Sequence, residues 1–123
     1  MARSVIVSAV RTPFGKLGGG LRDYEAPQLG AIVVREAVSR AGAAPHDVGE
    51  VILGCVLQAG AGMNVARQAA LAAGLPVEVP AETVNRVCGS GLTAVVHAVE
   101  AVRSGYVDLV VAGGTESMSN APF

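Results

Sequence analysis

Short runs of β-branched and aliphatic residues, apolar on both faces, alternate along this chain with stretches of helical periodicity, and few architectures accept that alternation. A strand buried on both faces needs a layer above and below it, and parallel neighbours need a crossover, usually a helix. Val5 to Val10 is the first such run, closed by Arg11-Thr12-Pro13 and the glycine-rich Gly15-Lys16-Leu17-Gly18-Gly19-Gly20. From Pro27 the period becomes helical, with Leu29, Ile32, Val33 and Ala37 on one face and Gly42 placed to stop the helix. Val48 to Leu57 reads as a second strand. The turn Gly60-Ala61-Gly62 then leads to Asn64, the N-cap of a short alanine-rich helix that Gly74 and Pro76 end. Glu82 to Val87 is a third strand, Gly91 to Ser104 a third helix, and Val107 to Ala112 a fourth strand ending at Gly113-Gly114. Four strands and three helices in this order predict an α/β fold, a mainly parallel sheet with helices on both faces.

The 123 residues suffice for one core and leave little room for a second. Of them 51% are hydrophobic and 15% charged, against a usual charged share of about 25%, and mean hydropathy is +0.49. Much apolar surface is therefore expected to be covered by further chain or by a partner. Nine Lys and Arg among ten Asp and Glu form no basic run or stripe, which argues against nucleic acid as a partner. No stretch reaches the ~18 consecutive apolar residues of a membrane span. Met1-Ala2-Arg3-Ser4 opens onto a run too short for a signal sequence, and two cysteines make no disulfide framework, so a reducing cytoplasm fits best. No element follows the fourth strand, and residues 1–123 are expected to be one domain cut from a longer protein.

Cys88 carries the chemistry. In Val84-Asn85-Arg86-Val87-Cys88-Gly89-Ser90-Gly91-Leu92 it stands between a strand and a helix, where unpaired N–H groups favour an anion. The flanking glycines leave the sulfur open to a substrate carbonyl. A helix terminus contributes only about 1 kcal/mol, too little to make a thiol of ordinary pKa, ~8.5, mostly thiolate at neutral pH. A nearby base or cation must add to it. Neither histidine is placed for this. His97 lies nine residues further along the same helix, roughly 13 Å away, on a polar stripe with Thr93 and Glu100 opposite an expected buried face of Leu92, Val95, Val96, Val99 and Val102. His46, in Pro45-His46-Asp47, precedes a strand, whereas parallel sheets place their sites at the strands' carboxyl ends. Cys55, inside the second strand, reads as a small buried hydrophobe. No metal ligands and no cofactor contacts are assigned.

The segment Val84 to Val102 resembles the acyl-enzyme signature of thiolases, with Asn85 ahead of the nucleophile and Cys88-Gly89-Ser90-Gly91-Leu92 opening the helix. Arg11-Thr12-Pro13-Phe14-Gly15, Asn64-Val65-Ala66-Arg67-Gln68 and Gly113-Gly114-Thr115-Glu116-Ser117-Met118-Ser119 fit the same family in the same order. The resemblance implies the amino-terminal half of the thiolase fold, ending before the loop domain and the carboxy-terminal domain. It implies an acetyl-CoA acetyltransferase of lipid metabolism in which Cys88 receives an acyl group from a thioester, its own N–H resembling one oxyanion-hole donor. Coenzyme A and acetyl-CoA are then substrates and no group is permanently bound. The activating histidine, the acid/base cysteine and the water-holding asparagine of the family belong to later sequence. Arg11 and Glu116 are expected to brace loops or to be solvated or paired, and not to be catalytic. A homo-oligomer, or association with the carboxy-terminal part, is expected.

Three rival readings remain. A β-ketoacyl synthase shares the architecture, but its cysteine is usually followed by more serine. A non-catalytic assembly fragment of a thiolase describes these residues by themselves equally well. Gly60-Ala61-Gly62-Met63-Asn64-Val65 superficially resembles a dinucleotide fingerprint, but Val65 replaces its third glycine.

Overall fold

The computed structural model describes residues 3–123. Helix α1 (Ala26–Arg40) is followed by strand β1 (Glu50–Gly54), helix α2 (Val65–Ala72), strand β2 (Ala81–Val84), helix α3 (Ser90–Arg103) and strand β3 (Val110–Gly114). The three strands are parallel in the order β2-β1-β3. Gly54 of β1 aligns with Val84 of β2 and Gly114 of β3, so the loops that follow all leave from one end of the sheet.

Both faces of the sheet are covered, as the apolar runs predict. Val51 and Leu53 point to one side and pack with Ala31, Val34 and Val38 of α1 and Ala66, Ala69 and Ala70 of α2. Ile52 points to the other and meets Ala94 and Ala98 of α3. This is the two-residue period of a strand read out as two half-cores. Glycine at position 30 lets α1 approach α2, since a Cβ there would stand 3.0 Å from Ala69 Cβ.

Helix boundaries follow the expected punctuation. Gly42 and Gly74, at φ +68° and +89°, end α1 and α2 in the left-handed conformation. Asn64 caps α2 with its side-chain oxygen on the Arg67 N–H at 3.1 Å, accepts the Thr83 hydroxyl at 2.8 Å and donates to the Ala81 carbonyl at 2.9 Å. It therefore ties α2 to β2, from a left-handed backbone that asparagine tolerates. Asn64→Ala is expected to lower stability by about 2 kcal/mol in urea unfolding, and Asn64→Gly by less.

Three expectations are corrected. Val5 to Val10 is not a strand: the run has no ladder partner, and Val5, Ile6 and Val7 are 70%, 79% and 60% exposed. A cavity of about 850 Å³ lies between it and the sheet, with Val7, Val99, Val102 and Val111 in its walls. β-branched residues favour a strand by packing on neighbours in a ladder, and this run, held off from the open edge of β3, has none. The described residues thus hold three strands, not four.

The third strand stops at Val84, not Val87, because Asn85 turns the chain by accepting the Val87 N–H at 3.0 Å. The buried face of α3 is Ser90, Ala94 and Ala98, while Leu92 is 71% exposed. The first turn of α3, at Ser90 and Gly91, lies against the glycine ends of β1 and β3, and further along Ala94 and Ala98 pack on Ile52.

Candidate active site

Cys88 is exposed on a tight turn between β2 and α3. The Gly89 N–H donates to the Arg86 carbonyl at 3.0 Å and the Ser90 N–H to the Val87 carbonyl at 3.1 Å. Val87, a β-branched residue directly before the cysteine, sits at φ +51°, where such residues are outliers. The turn is seated on the sheet through Gly54: a Cβ there would come within 2.5 Å of the Ser90 carbonyl carbon and 2.7 Å of the Gly91 nitrogen. Gly114 approaches Gly91 in the same way, its Cβ position 3.4 Å from the Gly91 Cα. The thiol-bearing turn therefore stands over the carboxyl ends of β1 and β3.

Beside it, Glu116 joins two of the loops that leave this end. Its carboxylate accepts the Val56 N–H at 3.0 Å and the Leu57 N–H at 2.8 Å, and the Cys55 thiol lies 3.5 Å away. Of the two roles expected for Glu116, the loop brace is the one observed. Glu116→Gln turns an amide N–H₂ toward backbone donors and should cost about 2 kcal/mol, read from the urea midpoint.

Cys55 is fully buried. Burial, reinforced by the Glu116 carboxylate, pushes its thiol up to about 12 from an ordinary 9.0. A raised thiol stays protonated in the folded protein while the unfolded chain ionises, so its contribution is complete below pH 9 and is lost as pH rises toward 12. Between those values the wild type should lose stability faster than Cys55→Ala by up to ~1.4 kcal/mol per pH unit, measured by unfolding at each pH.

The histidines stand apart from Cys88. His97 Nδ1 is 3.3 Å from Glu82 Oε1, so it is half-exposed and partnered, not simply solvated. His46 precedes β1, at the opposite end of the sheet, with Nε2 3.5 Å from Asp47. The Arg11 guanidinium lies 4.2 Å from the Phe14 ring centroid and donates to the Thr12 carbonyl. The Gly18 N–H donates to Oγ of Ser119, the last residue of the Gly113 to Ser119 motif, and the Asn120 side chain after it donates to the Arg22 and Tyr24 carbonyls, so this segment fastens the glycine-rich loop and the residues that follow it. Sequence reasoning passed over Gly54, and saw in Ser90 only a residue too small to shield the sulfur. Their signal is weak, a small residue at a strand end and another two places after the cysteine.

Among the described residues no helix is long and apolar enough to cross a membrane, and no cluster of three or more His, Cys, Asp or Glu is arranged to hold a metal ion.

Residues 4–123 match the family model described as thiolase, N-terminal domain. The chain is 57% identical over 122 residues to the acetyl-CoA acetyltransferase of Cupriavidus necator, covering 99% of this chain and 31% of that protein. It is 56% identical over 119 residues to the acetyl-CoA acetyltransferase of Syntrophomonas wolfei, covering 97% of this chain and 30% of that one. It is 53% identical over 119 residues to the protein of the same description from Pseudomonas aeruginosa, again 97% of this chain and 30% of the relative. The chain thus spans less than a third of the length of these relatives.

Proposed function

Because the chain belongs to the thiolase family, through the N-terminal domain that its residues 4–123 match, we propose that it supplies the acyl-accepting cysteine of an acetyl-CoA acetyltransferase. One observation carries the reading: the exposed thiol of Cys88 on a turn held over the carboxyl end of a parallel sheet. The relatives' shared description as acetyl-CoA acetyltransferases supports the substrate class.

In the proposed reaction Cys88 Sγ attacks the thioester carbonyl of acetyl-CoA. The Cys88 N–H stabilises the oxyanion, the bond from the acetyl carbon to the coenzyme A sulfur breaks, and coenzyme A leaves with the proton as a free thiol. The acetyl group then passes to the α-carbon of a second acetyl-CoA, which has lost a proton to a base. Acetoacetyl-CoA forms and the cysteine is restored. Run in reverse, coenzyme A cleaves a 3-ketoacyl-CoA. The base and the groups that hold coenzyme A are proposed to lie in carboxy-terminal sequence or on another chain, since neither histidine bonds to Cys88 among the described residues.

The setting proposed is a cytoplasmic protein of lipid metabolism that works as a homo-oligomer or joined to that carboxy-terminal part, with small thioesters and no nucleic acid as partners. Exposed Leu92 and Val96 on the outer face of α3 and the open edge of β3 support such a covered assembly. They equally favour the second reading, an assembly piece without activity of its own.

Intact-mass spectrometry of the chain joined to its carboxy-terminal part, before and after incubation with acetyl-CoA, separates the two. A gain of one acetyl group, mapped to Cys88, is expected; a mass that never changes leaves only the assembly reading.

A further inference from the structure

Ser90 is the one buried polar side chain of the described core, 4% exposed, and its hydroxyl is fully engaged. Ser90 Oγ accepts the Arg86 N–H at 2.7 Å and donates to the Val87 carbonyl at 2.6 Å. These two bonds run from the first residue of α3 back across the turn and grip Val87 on both sides. Val87 is held there at φ +51° with its side chain 65% exposed, so no packing of that side chain accounts for the conformation. The Asn85 side chain adds one bond, to the Val87 N–H.

From this geometry we infer that Ser90 is a positioning residue for acyl transfer. Its hydroxyl keeps Val87 in the left-handed conformation and thereby fixes the direction in which the Cys88 thiol leaves the turn. The inference rests on the reading that Cys88 accepts the acetyl group. A valine released from these bonds relaxes to negative φ, which rotates the following peptide and swings Cys88 with it. Attack on a thioester carbonyl needs an aligned sulfur, and small misplacements cost orders of magnitude in rate. Alkylation by a small freely diffusing reagent needs only an accessible thiol. The two reactions therefore report alignment and exposure separately.

The test follows acetyl loading of Cys88 from acetyl-CoA and its alkylation by iodoacetamide, both by mass spectrometry of the chain joined to the carboxy-terminal part that holds the base and the coenzyme A contacts, together with thermal unfolding. Ser90→Ala is expected to slow acetyl loading at least ~10-fold while alkylation stays within about twofold of wild type. Val38→Ala, which thins the core beneath α1 far from the turn, lowers the unfolding temperature and leaves loading unchanged. Glycine adopts positive φ freely, so with Val87→Gly in place the added loss from Ser90→Ala should shrink to about threefold or less.

Loading by Ser90→Ala at the wild-type rate overturns the inference and leaves the acetyltransferase reading standing. So does a loss as large in the Val87→Gly background as in the wild type, which would make Ser90 merely structural. Failure of the wild type itself to load, with Cys88 alkylating normally, overturns the acetyltransferase reading and this inference with it.

Discussion

Alanine at position 88 leaves the protein with no acetyl group after incubation with acetyl-CoA, whereas Cys55→Ala gains one as the wild type does. The chain holds two thiols and their surroundings are opposite. Cys88 is exposed on its turn and Cys55 is buried beside a carboxylate. With Cys55 pushed up to about 12, its thiolate fraction at pH 7 is on the order of 10⁻⁵, and no path brings a thioester to it. The loss in Cys88→Ala is therefore complete, not partial. Peptide mapping of the acetylated protein checks it, and an acetyl group on Cys55, or on Cys88→Ala protein, would reject Cys88 as the acceptor.

Gly54→Ala should be the most damaging methyl group that can be added to the sheet. Its Cβ would stand 2.5 Å from the Ser90 carbonyl carbon, 2.7 Å from the Gly91 nitrogen and 2.7 Å from the Ser90 Cβ. These are mainly backbone atoms of a helix start, which cannot swing aside as a side-chain tip would. The first turn of α3 must lift, at a cost of about 3 kcal/mol. The displacement falls on the turn that carries Cys88, so acetyl loading should drop ~100-fold. Urea unfolding and the loading rate measure the two effects. Gly20→Ala, at a position with nothing within 4 Å of the added carbon, should change stability by less than about 0.5 kcal/mol and loading not at all.

The parallel two-faced sheet was legible because a strand buried on both faces leaves a continuous apolar run, as at residues 51–53, and because helix ends are written in local chemistry, at Asn64, Gly42 and Gly74. The position of Cys88 was legible for the same reason, a strand run and a helix run meeting at Gly89. What failed was everything set by a neighbour distant in sequence. Val5 to Val10 has strand composition, but composition alone pairs no strand, and the run lies across a cavity from the open edge of β3. Hydrophobicity points to the α3 stripe of Leu and Val as the inner face, whereas Ala94 and Ala98 are the residues that meet Ile52, and the close approach to Gly54 and Gly114 is made by Ser90 and Gly91. The loop brace at Glu116 was among its expected roles, but its partners, the Val56 and Leu57 amides, leave no trace in side-chain pattern, and neither do the local backbone bonds of Ser90.

The strand order also governs how the chain can be made. β1 is synthesised first yet ends in the middle of the sheet, and Val51 must find Ala81 thirty residues later and Val111 sixty residues later. At a ribosomal pace of about 5–20 residues per second, its second edge stays open for roughly 3 to 12 seconds. Through that interval an apolar strand waits with unsatisfied amides, in reach of the same strand on a neighbouring nascent chain. Yield in the cell should therefore depend on chaperone supply and translation speed more than on the stability of the finished fold.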